Sequence, residues 1–288
     1  MLLNASGCLD ALAAPDTARQ LDALVTKTVT PEPREGSSPV RIAETDHGML
    51  NAIGLANPGR ERFLAETLPA LRGLGLPIWV SVGGFSARDY GETCARLEDV
   101  TIELNLSCPN VDEAPEAAAD IVSACRAATD LPLYAKLSPA AWDVAATARA
   151  VEAAGADGLS LVNTIRGLAL DTRLRPVLAR ATGGYSGPAL KPIALAAVHA
   201  CRQVTELPIV GMGGVETGRD ALELIACGAT HVALGTVLFG DSEAPARVRA
   251  ELAEAASAAG FGEPDDAFSA AQRSAAKSVA YAENSVPS

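Results

Sequence analysis

The stretch Leu207-Pro-Ile-Val-Gly-Met-Gly-Gly-Val-Glu-Thr-Gly-Arg-Asp-Ala-Leu-Glu-Leu-Ile-Ala-Cys-Gly-Ala-Thr-His-Val-Ala-Leu-Gly-Thr236 reads as one strand–helix–strand unit. Pro208–Gly211 is a short apolar run that opens on proline, which a strand tolerates at its first position. Gly213-Gly214 ends it, Thr217–Ala226 carries helical periodicity, and His231–Leu234 is a second apolar run closed by Gly235-Thr236. Two strands joined through a helix pair in parallel, because a parallel connection needs a crossover of that length.

Working outward, the same alternation fills the chain. Apolar or β-branched runs occur at Leu2–Ala5, Ala23–Thr28, Pro77–Val82, Val100–Leu106, Pro132–Leu137 and Gly158–Val162, which with the two above make eight. Arg60–Leu74, Pro115–Thr129, Ala141–Ala154 and Pro188–Thr205 read as further helices, and Leu76-Pro77, Leu131-Pro132 and Leu207-Pro208 mark entries into strands. Eight parallel strands with crossover helices predict an α/β fold, a (β/α)₈ TIM barrel. It forms a single domain over 1–288, with the core at about 2–260 and a polar, poorly anchored tail from about 275. The connections Val29–Gly59 and Thr164–Gly187 are long for a barrel, which predicts lids or binding loops.

With 288 residues, 49% of them hydrophobic, the chain can bury one large core, and 4% aromatics means that aliphatic side chains must build it. The formal net charge of −12 gives phosphate backbones no general attraction, so nucleic acid is not an expected partner. Six scattered cysteines without a CxxC pair predict reduced thiols, no metal site and no cluster. The start, Met1 to Cys8, lacks the cationic and apolar regions of a signal, and the charge-free run Leu224–Gly240 is glycine-broken and short for a bilayer. A soluble cytoplasmic protein, with no membrane partner, is expected.

The residues that follow the strands are Ser6-Gly7, Lys27-Thr28, Gly83-Gly84, Asn105 to Asn110, Lys136, Asn163-Thr164, Gly213-Gly214 and Gly235-Thr236. All are polar or small around Leu106, Cys108 and Pro109, and in a barrel they converge on the C-terminal mouth, where active sites lie. Gly213-Gly214 and Gly235-Thr236 follow the seventh and eighth strands, the usual place for phosphate, so a phosphorylated cofactor is favoured over plain turns. Lys27 and Lys136 end apolar strands; each either points into the mouth towards an anion or snorkels to water. Asn51, Asn105, Asn110 and Asn163 are amides that donate and accept, suited to a ring with alternating C=O and N–H groups. Cys108 stands directly after a strand inside this polar set and is the first candidate for a base, while the other five cysteines read as small core residues, Cys8 the least clearly.

Glu44-Thr-Asp-His-Gly-Met-Leu-Asn-Ala-Ile-Gly-Leu-Ala-Asn-Pro-Gly59, Glu103-Leu-Asn-Leu-Ser-Cys-Pro-Asn110, Leu133-Tyr-Ala-Lys-Leu-Ser-Pro139, Gly183-Gly-Tyr-Ser-Gly-Pro-Ala-Leu-Lys-Pro192 and Ile209-Val-Gly-Met-Gly-Gly-Val215 resemble class 1 dihydroorotate dehydrogenases, over about residues 2–240. Gly-Met-Leu-Asn-Ala-Ile-Gly-Leu and Gly-Met-Gly-Gly are most similar to the NAD-linked type, class 1B. The resemblance implies an FMN oxidoreductase of pyrimidine (UMP) biosynthesis that oxidises dihydroorotate to orotate. It implies FMN contacts at Ala5, Ser6, Gly7, Lys27, Thr28, Asn105, Lys136, Gly187, Gly213, Gly214, Gly235 and Thr236. Substrate contacts are implied at Lys27, Asn51, Ile53, Gly54, Leu55, Asn105, Asn110, Asn163 and Thr164, with Cys108 taking the C5 proton. It implies an electron-transfer subunit carrying FAD and an iron–sulfur cluster, in a homodimer or heterotetramer.

Two features depart from the family pattern. The chain begins almost inside the first barrel strand, without the usual preceding residues, and Val111–Glu116 is shorter than the usual lid. The alternatives are a fumarate-linked enzyme, a related FMN barrel acting on another dihydropyrimidine, and a flavin-binding subunit without catalysis.

Overall fold

The computed structural model describes residues 1–106, 118–141 and 143–273. Twelve strands occur among them: β1 Leu2–Asn4, β2 Leu24–Val25, β3 Ile42–Thr45, β4 Gly48–Asn51, β5 Ile78–Val82, β6 Thr101–Asn105, β7 Leu133–Lys136, β8 Gly158–Leu161, β9 Ile165–Leu168, β10 Thr182–Ser186, β11 Ile209–Met212 and β12 His231–Leu234. Eight of them form a parallel sheet in the order β1-β12-β11-β8-β7-β6-β5-β2. A parallel bridge between Leu3 and Ala23 closes the sheet on itself. The eight expected strands are therefore the eight staves of the barrel, with ends shifted by a few residues.

The closing seam has too few ladder bonds because β2 is only two residues long. Buried Asn4 supplies what is missing: its Nδ2 donates to Val25 O at 2.7 Å and its Oδ1 accepts from Val25 N at 2.9 Å. An amide presents a donor and an acceptor side by side, as a strand edge does, so it substitutes for one rung.

Both faces of the barrel strands are buried, as crossover helices require. On the outer face Leu24, Val80, Val82, Ile102, Leu104, Leu133, Leu159, Leu161, Ile209 and Leu234 pack against the helices. Leu3, Ala23, Val25, Trp79, Tyr134, Val210, Met212 and Ala233 form a separate apolar plug in the lumen. The Trp79 and Tyr134 rings lie 4.4 Å apart at 52°, a tilted pair contributing about 0.5–1.5 kcal/mol beyond its burial. Tyr134 fits only because its register partner is Gly158, where a Cβ would lie 2.3 Å from the ring. In the two facing positions above this plug the strands place Ser81 beside Glu103 and Lys136 beside Ser160, so the lumen turns polar towards the C-terminal mouth.

Helices begin where the sequence offers caps. Ser86 accepts from Asp89 N ahead of Ala87–Cys94, Asp143 accepts from Ala146 N ahead of Val144–Ala153, and Thr217 with Asp220 forms a capping box ahead of Gly218–Ala226. The expected helix Arg60–Leu74 runs from Arg60 to Arg72 with a π-helical stretch at Phe63–Thr67. Ala244–Ala258 completes the eighth unit.

The two long connections, expected as lids or binding loops, are built as a second sheet, four antiparallel strands in the order β3-β4-β10-β9. Its small core is Leu50, Ala52 and Leu178, with Ala43, Ala169, Val177 and Tyr185 against it. Neither insertion could be stable alone as a single hairpin; pairing β4 with β10 joins them. Among the described residues no helix is long and apolar enough to cross a membrane. The tail from about 275 and the lid Val111–Glu116 lie outside the described residues.

Candidate active site

A cavity of about 300 Å³ opens where the second sheet stands over the C-terminal mouth of the barrel. Each barrel strand that reaches it delivers the residue just past its end, since the last ladder bond frees the chain to turn there. Ala5, Ser6, Gly7, Lys27, Thr28, Asn105, Lys136, Gly187, Gly213, Gly214, Gly235 and Thr236, the twelve positions expected to hold the cofactor, all line this cavity. So do Asn51, Ile53, Leu55, Asn163 and Thr164 of the expected substrate set. Asn51 and Ile53 come from the second sheet and the chain beyond it, and Asn163 and Thr164 from the end of β8, so the two layers meet around the same space.

Gly54, expected in the substrate set, does not line this cavity. It has φ +73°, and a side chain there would meet Ser37 Oγ at 2.6 Å. The left-handed turn carries Gly54 to the back of the loop, where it lines a separate groove with Arg34, Ser37 and Arg180 while Ile53 and Leu55 face the cavity. Cys108 and Asn110 lie outside the described residues.

The polar wall is one connected chain. Ser6 Oγ donates to Thr26 O at 2.8 Å and lies 3.3 Å from Thr28 Oγ1, which in turn lies 3.0 Å from Ser81 Oγ. Asn105 Nδ2 donates to Thr28 Oγ1 at 3.1 Å, and Asn163 Nδ2 donates to Asn105 Oδ1 at 3.1 Å. Thr164 N donates to Asn163 Oδ1 at 2.8 Å, while Tyr90 Oη donates to Asn105 O at 2.7 Å. Two amides fixed in this manner cannot flip without breaking the chain, so each presents a defined edge. On the upper side Asn51 Nδ2 donates to Gly184 O at 3.3 Å and Thr236 Oγ1 to Ser186 Oγ at 2.8 Å.

Three observations show what the cavity is fitted to take. Among the described residues the N–H groups of Gly213, Gly214, Gly235 and Thr236 find no acceptor, and Gly213 and Gly214 both have positive φ, +125° and +73°. Such a run of turned, unpaired N–H groups forms a nest for an anion. Thr164 Oγ1 is buried in the wall without a partner among the described residues, an arrangement that costs about 1–3 kcal/mol unless something in the cavity bonds it. Lys27 and Lys136 add two ammonium groups; Gly7, at φ +77°, lets Lys27 pass, since a Cβ there would lie 3.0 Å from its Nζ.

Some features were not legible in the sequence. Lys136 has an anionic neighbour from the chain itself: Glu103, 1% exposed, whose Oε1 lies 3.5 Å from Lys136 Nζ. Cys8, read as a core residue, lines the cavity instead. Burial pushes its thiol up, against the pull of the Lys136 and Lys27 ammonium groups, so it is held as a thiol at neutral pH. Ile42, Met49, Leu190, Val215 and Phe239 supply an apolar rim that was not expected in the site. Met49, Leu190 and Val215 stand inside the quoted motifs, whereas Ile42 and Phe239 gave no signal beyond their place near them.

The loop under the glycine pair is braced from below. Asp220 Oδ2 accepts from Glu216 N, Thr217 N and Thr217 Oγ1 at 3.0, 2.8 and 2.8 Å, and Asp220 Oδ1 accepts from Lys191 Nζ at 2.6 Å. Burial works against the charge on Asp220, but these bonds outweigh it and hold the carboxyl below its ordinary range.

A family model described as dihydroorotate dehydrogenase matches residues 1–255 of the chain. Among curated relatives, the "Dihydroorotate dehydrogenase B (NAD(+)), catalytic subunit" of Listeria monocytogenes serovar 1/2a is 44% identical over 259 residues, covering 86% of this chain and 85% of the relative. Proteins of the same description are 49% identical over 235 residues in Latilactobacillus sakei, covering 77% and 76%, and 47% over 234 residues in Listeria welshimeri, covering 77% of each. A solved structure described as DHODH in complex with ferulenol from Eimeria tenella superposes with a TM-score of 0.80 over 94% of this chain and 85% of that one, at 23% identity, a likeness of fold.

Proposed function

Given that this chain belongs to the dihydroorotate dehydrogenase family, we propose that it is an FMN-dependent catalytic subunit of class 1B that oxidises dihydroorotate to orotate in pyrimidine biosynthesis. One observation carries the reading: unpaired N–H groups of two glycine loops, two lysines and a locked asparagine pair share one cavity at the barrel mouth. The donor set fits FMN, with Gly213, Gly214, Gly235 and Thr236 around the phosphate and Lys136, Asn105 and Thr28 around the ring.

FMN, when bound, supplies the acceptor for the hydride that leaves C6 of the substrate. The protein's own task is to bind the ring, place it and remove the C5 proton. Asn51, Asn105 and Asn163 bring amides that both donate and accept, as the C=O and N–H groups of a dihydropyrimidine require, and the Thr164 hydroxyl is available to it. Lys27 offers a cation to the substrate carboxylate. Cys108, in the sequence directly after β6, is the proposed base, because Cys8 is kept protonated by burial. Apolar Ile42, Met49, Ile53 and Leu55 exclude water from above, which strengthens each of these polar contacts. Electrons then pass to NAD through a separate subunit that carries FAD and an iron–sulfur cluster.

The test is the spectrum of the purified chain before and after anaerobic addition of dihydroorotate. A flavin spectrum that bleaches with dihydroorotate and not with dihydrouracil is expected. A colourless protein that cannot take up FMN would end the flavin reading; a flavoprotein that never bleaches would be a binding subunit without catalysis.

A further inference from the structure

Among the described residues the lumen of the barrel holds a buried ion pair, Glu103 on β6 and Lys136 on β7, with side chains 1% and 6% exposed and 3.5 Å between Oε1 and Nζ. Only Lys136 reaches the cavity; Glu103 lies one layer below it, beside Ser81 and Tyr134 in the strand register. A buried pair of this kind is a poor stabiliser, because well-packed apolar residues of similar volume do at least as well. Stability therefore gives no reason for a carboxylate at this depth.

The geometry gives one. A charge-assisted N–H···O bond is usually about 2.7–2.9 Å long, so 3.5 Å is a loose hold. Glu103 takes at most one of the three ammonium protons and leaves the rest to the cavity floor. The low dielectric makes the carboxylate felt by everything on that floor, Cys8 among them, whose titration responds to Lys136, Lys27 and Glu103 alike. Resting on the FMN reading above, we propose that Glu103 is a positioning residue: it aims the Lys136 ammonium at the bound flavin and tempers the positive charge that the ring meets. The carboxylate itself touches neither cofactor nor substrate.

The test compares Glu103→Gln, Lys136→Met and the double variant with the wild type as FMN-loaded holoproteins. Measurements are made at pH 6; besides Glu103, the titratable groups around the Lys136 ammonium are Cys8 after β1 and Lys27 after β2. Glu103→Gln should shift the bound flavin towards its reduced form by about tenfold at a fixed potential, about 30 mV for a two-electron couple. It should tighten sulfite addition to the oxidised flavin by a similar factor, and both effects should vanish in the Lys136→Met background. In FMN-free protein, site-resolved alkylation of Cys8 should be faster in Glu103→Gln, since the carboxylate opposes the thiolate. If Glu103→Gln does not accumulate as folded protein, Glu103→Asp, with a shorter and weaker hold, should show the same signs at smaller size.

A potential and sulfite affinity equal to wild type in the Gln or Asp variant, while Lys136→Met lowers both, would overturn the inference. A shift that persists in the Lys136→Met background would overturn it too, because Glu103 would then act directly. Failure of the wild type to bind FMN would strike the flavin reading, and it is seen before any variant is made.

Discussion

At the scale of single residues, the chemistry rests on groups whose neighbours leave them one task. Cys108 is the proposed base, and Cys8, the described thiol in the cavity wall, is held protonated. Cys108→Ala should keep its FMN and lose about 10²–10⁴ in the rate of flavin reduction by dihydroorotate, the usual worth of a general base. Cys108→Ser should lose nearly as much at neutral pH, as an unassisted hydroxyl is a far weaker base. Stopped-flow bleaching checks both, and a wild-type rate in Cys108→Ala would place the base elsewhere. Thr164 has a different signature, a buried hydroxyl without a partner. If the substrate ring bonds it, Thr164→Val should raise KM several-fold, for a contribution of about 1 kcal/mol, and leave FMN content untouched. Unchanged KM would mean that the hydroxyl serves no ligand.

At the scale of elements, the glycine loop after β11, proposed to hold the phosphate, depends on a helix cap. Asp220, third residue of the helix Gly218–Ala226, ties down Glu216 and Thr217 and pairs with Lys191 at the start of Lys191–Arg202. Gly214 packs so closely on Lys191 that a Cβ would stand 2.8 Å from its backbone N. Removing the charge by Asp220→Asn should cost about 1–3 kcal/mol of stability and weaken FMN binding, because the glycine loop loses its brace. The sign of the pH dependence follows from the depressed carboxyl. Its contribution is complete above the ordinary carboxylate range and disappears as pH falls through the lowered value. Wild type and Asp220→Asn should therefore differ most near neutrality and converge in acid, which denaturation midpoints at several pH values would show. A difference that does not depend on pH would make the brace a matter of packing alone.

At the scale of the whole molecule, two consequences can be measured. His231 opens β12 at the bottom of the barrel, and burial, aided by the N-terminal ammonium, lowers its pKa to about 4. The unfolded chain takes up the proton near the ordinary value of about 6.5 and the folded chain does not. Stability should accordingly fall as pH drops from about 6.5 to about 4 and level off below. The share owed to His231 is on the order of 1–2 kcal/mol after discounting for its partial exposure. His231→Gln should flatten that window in thermal scans; an unchanged slope would show that His231 is not the group titrating there. The second consequence is the electron route. Dihydroorotate should bleach the isolated chain, yet NAD alone should not reoxidise it at a catalytic rate. Adding the proposed FAD and iron–sulfur subunit should restore NAD reduction and give a larger complex on a sizing column. Rapid reoxidation by fumarate without a second protein would point to the fumarate-linked type.

The barrel was legible in the sequence because its signal is local. Apolar runs of four to seven residues, proline entries and capped helices each declare themselves within a few residues, and Leu207–Thr236 contains a full unit. The strand-end residues were legible for the same reason, since a barrel sends whatever follows a strand to one mouth. The long connections show where that reasoning stops. Nothing local in Val29–Gly59 or Thr164–Gly187 says that Leu50 will pair with Tyr185, more than a hundred residues away, because each hairpin is stable only through the other. That same pairing carries Asn51, Ile42 and Ser186 over the mouth and turns Gly54 away from it. Glu103 and Cys8 were missed for a related reason: a carboxylate in an apolar strand and a small residue after a turn acquire a role only from what the closed lumen sets beside them. Sequence by itself determined which residues stand at the strand ends; the tertiary structure decided which of them share a cavity and what charge lies beneath it, because those are contacts between segments that chain order keeps apart.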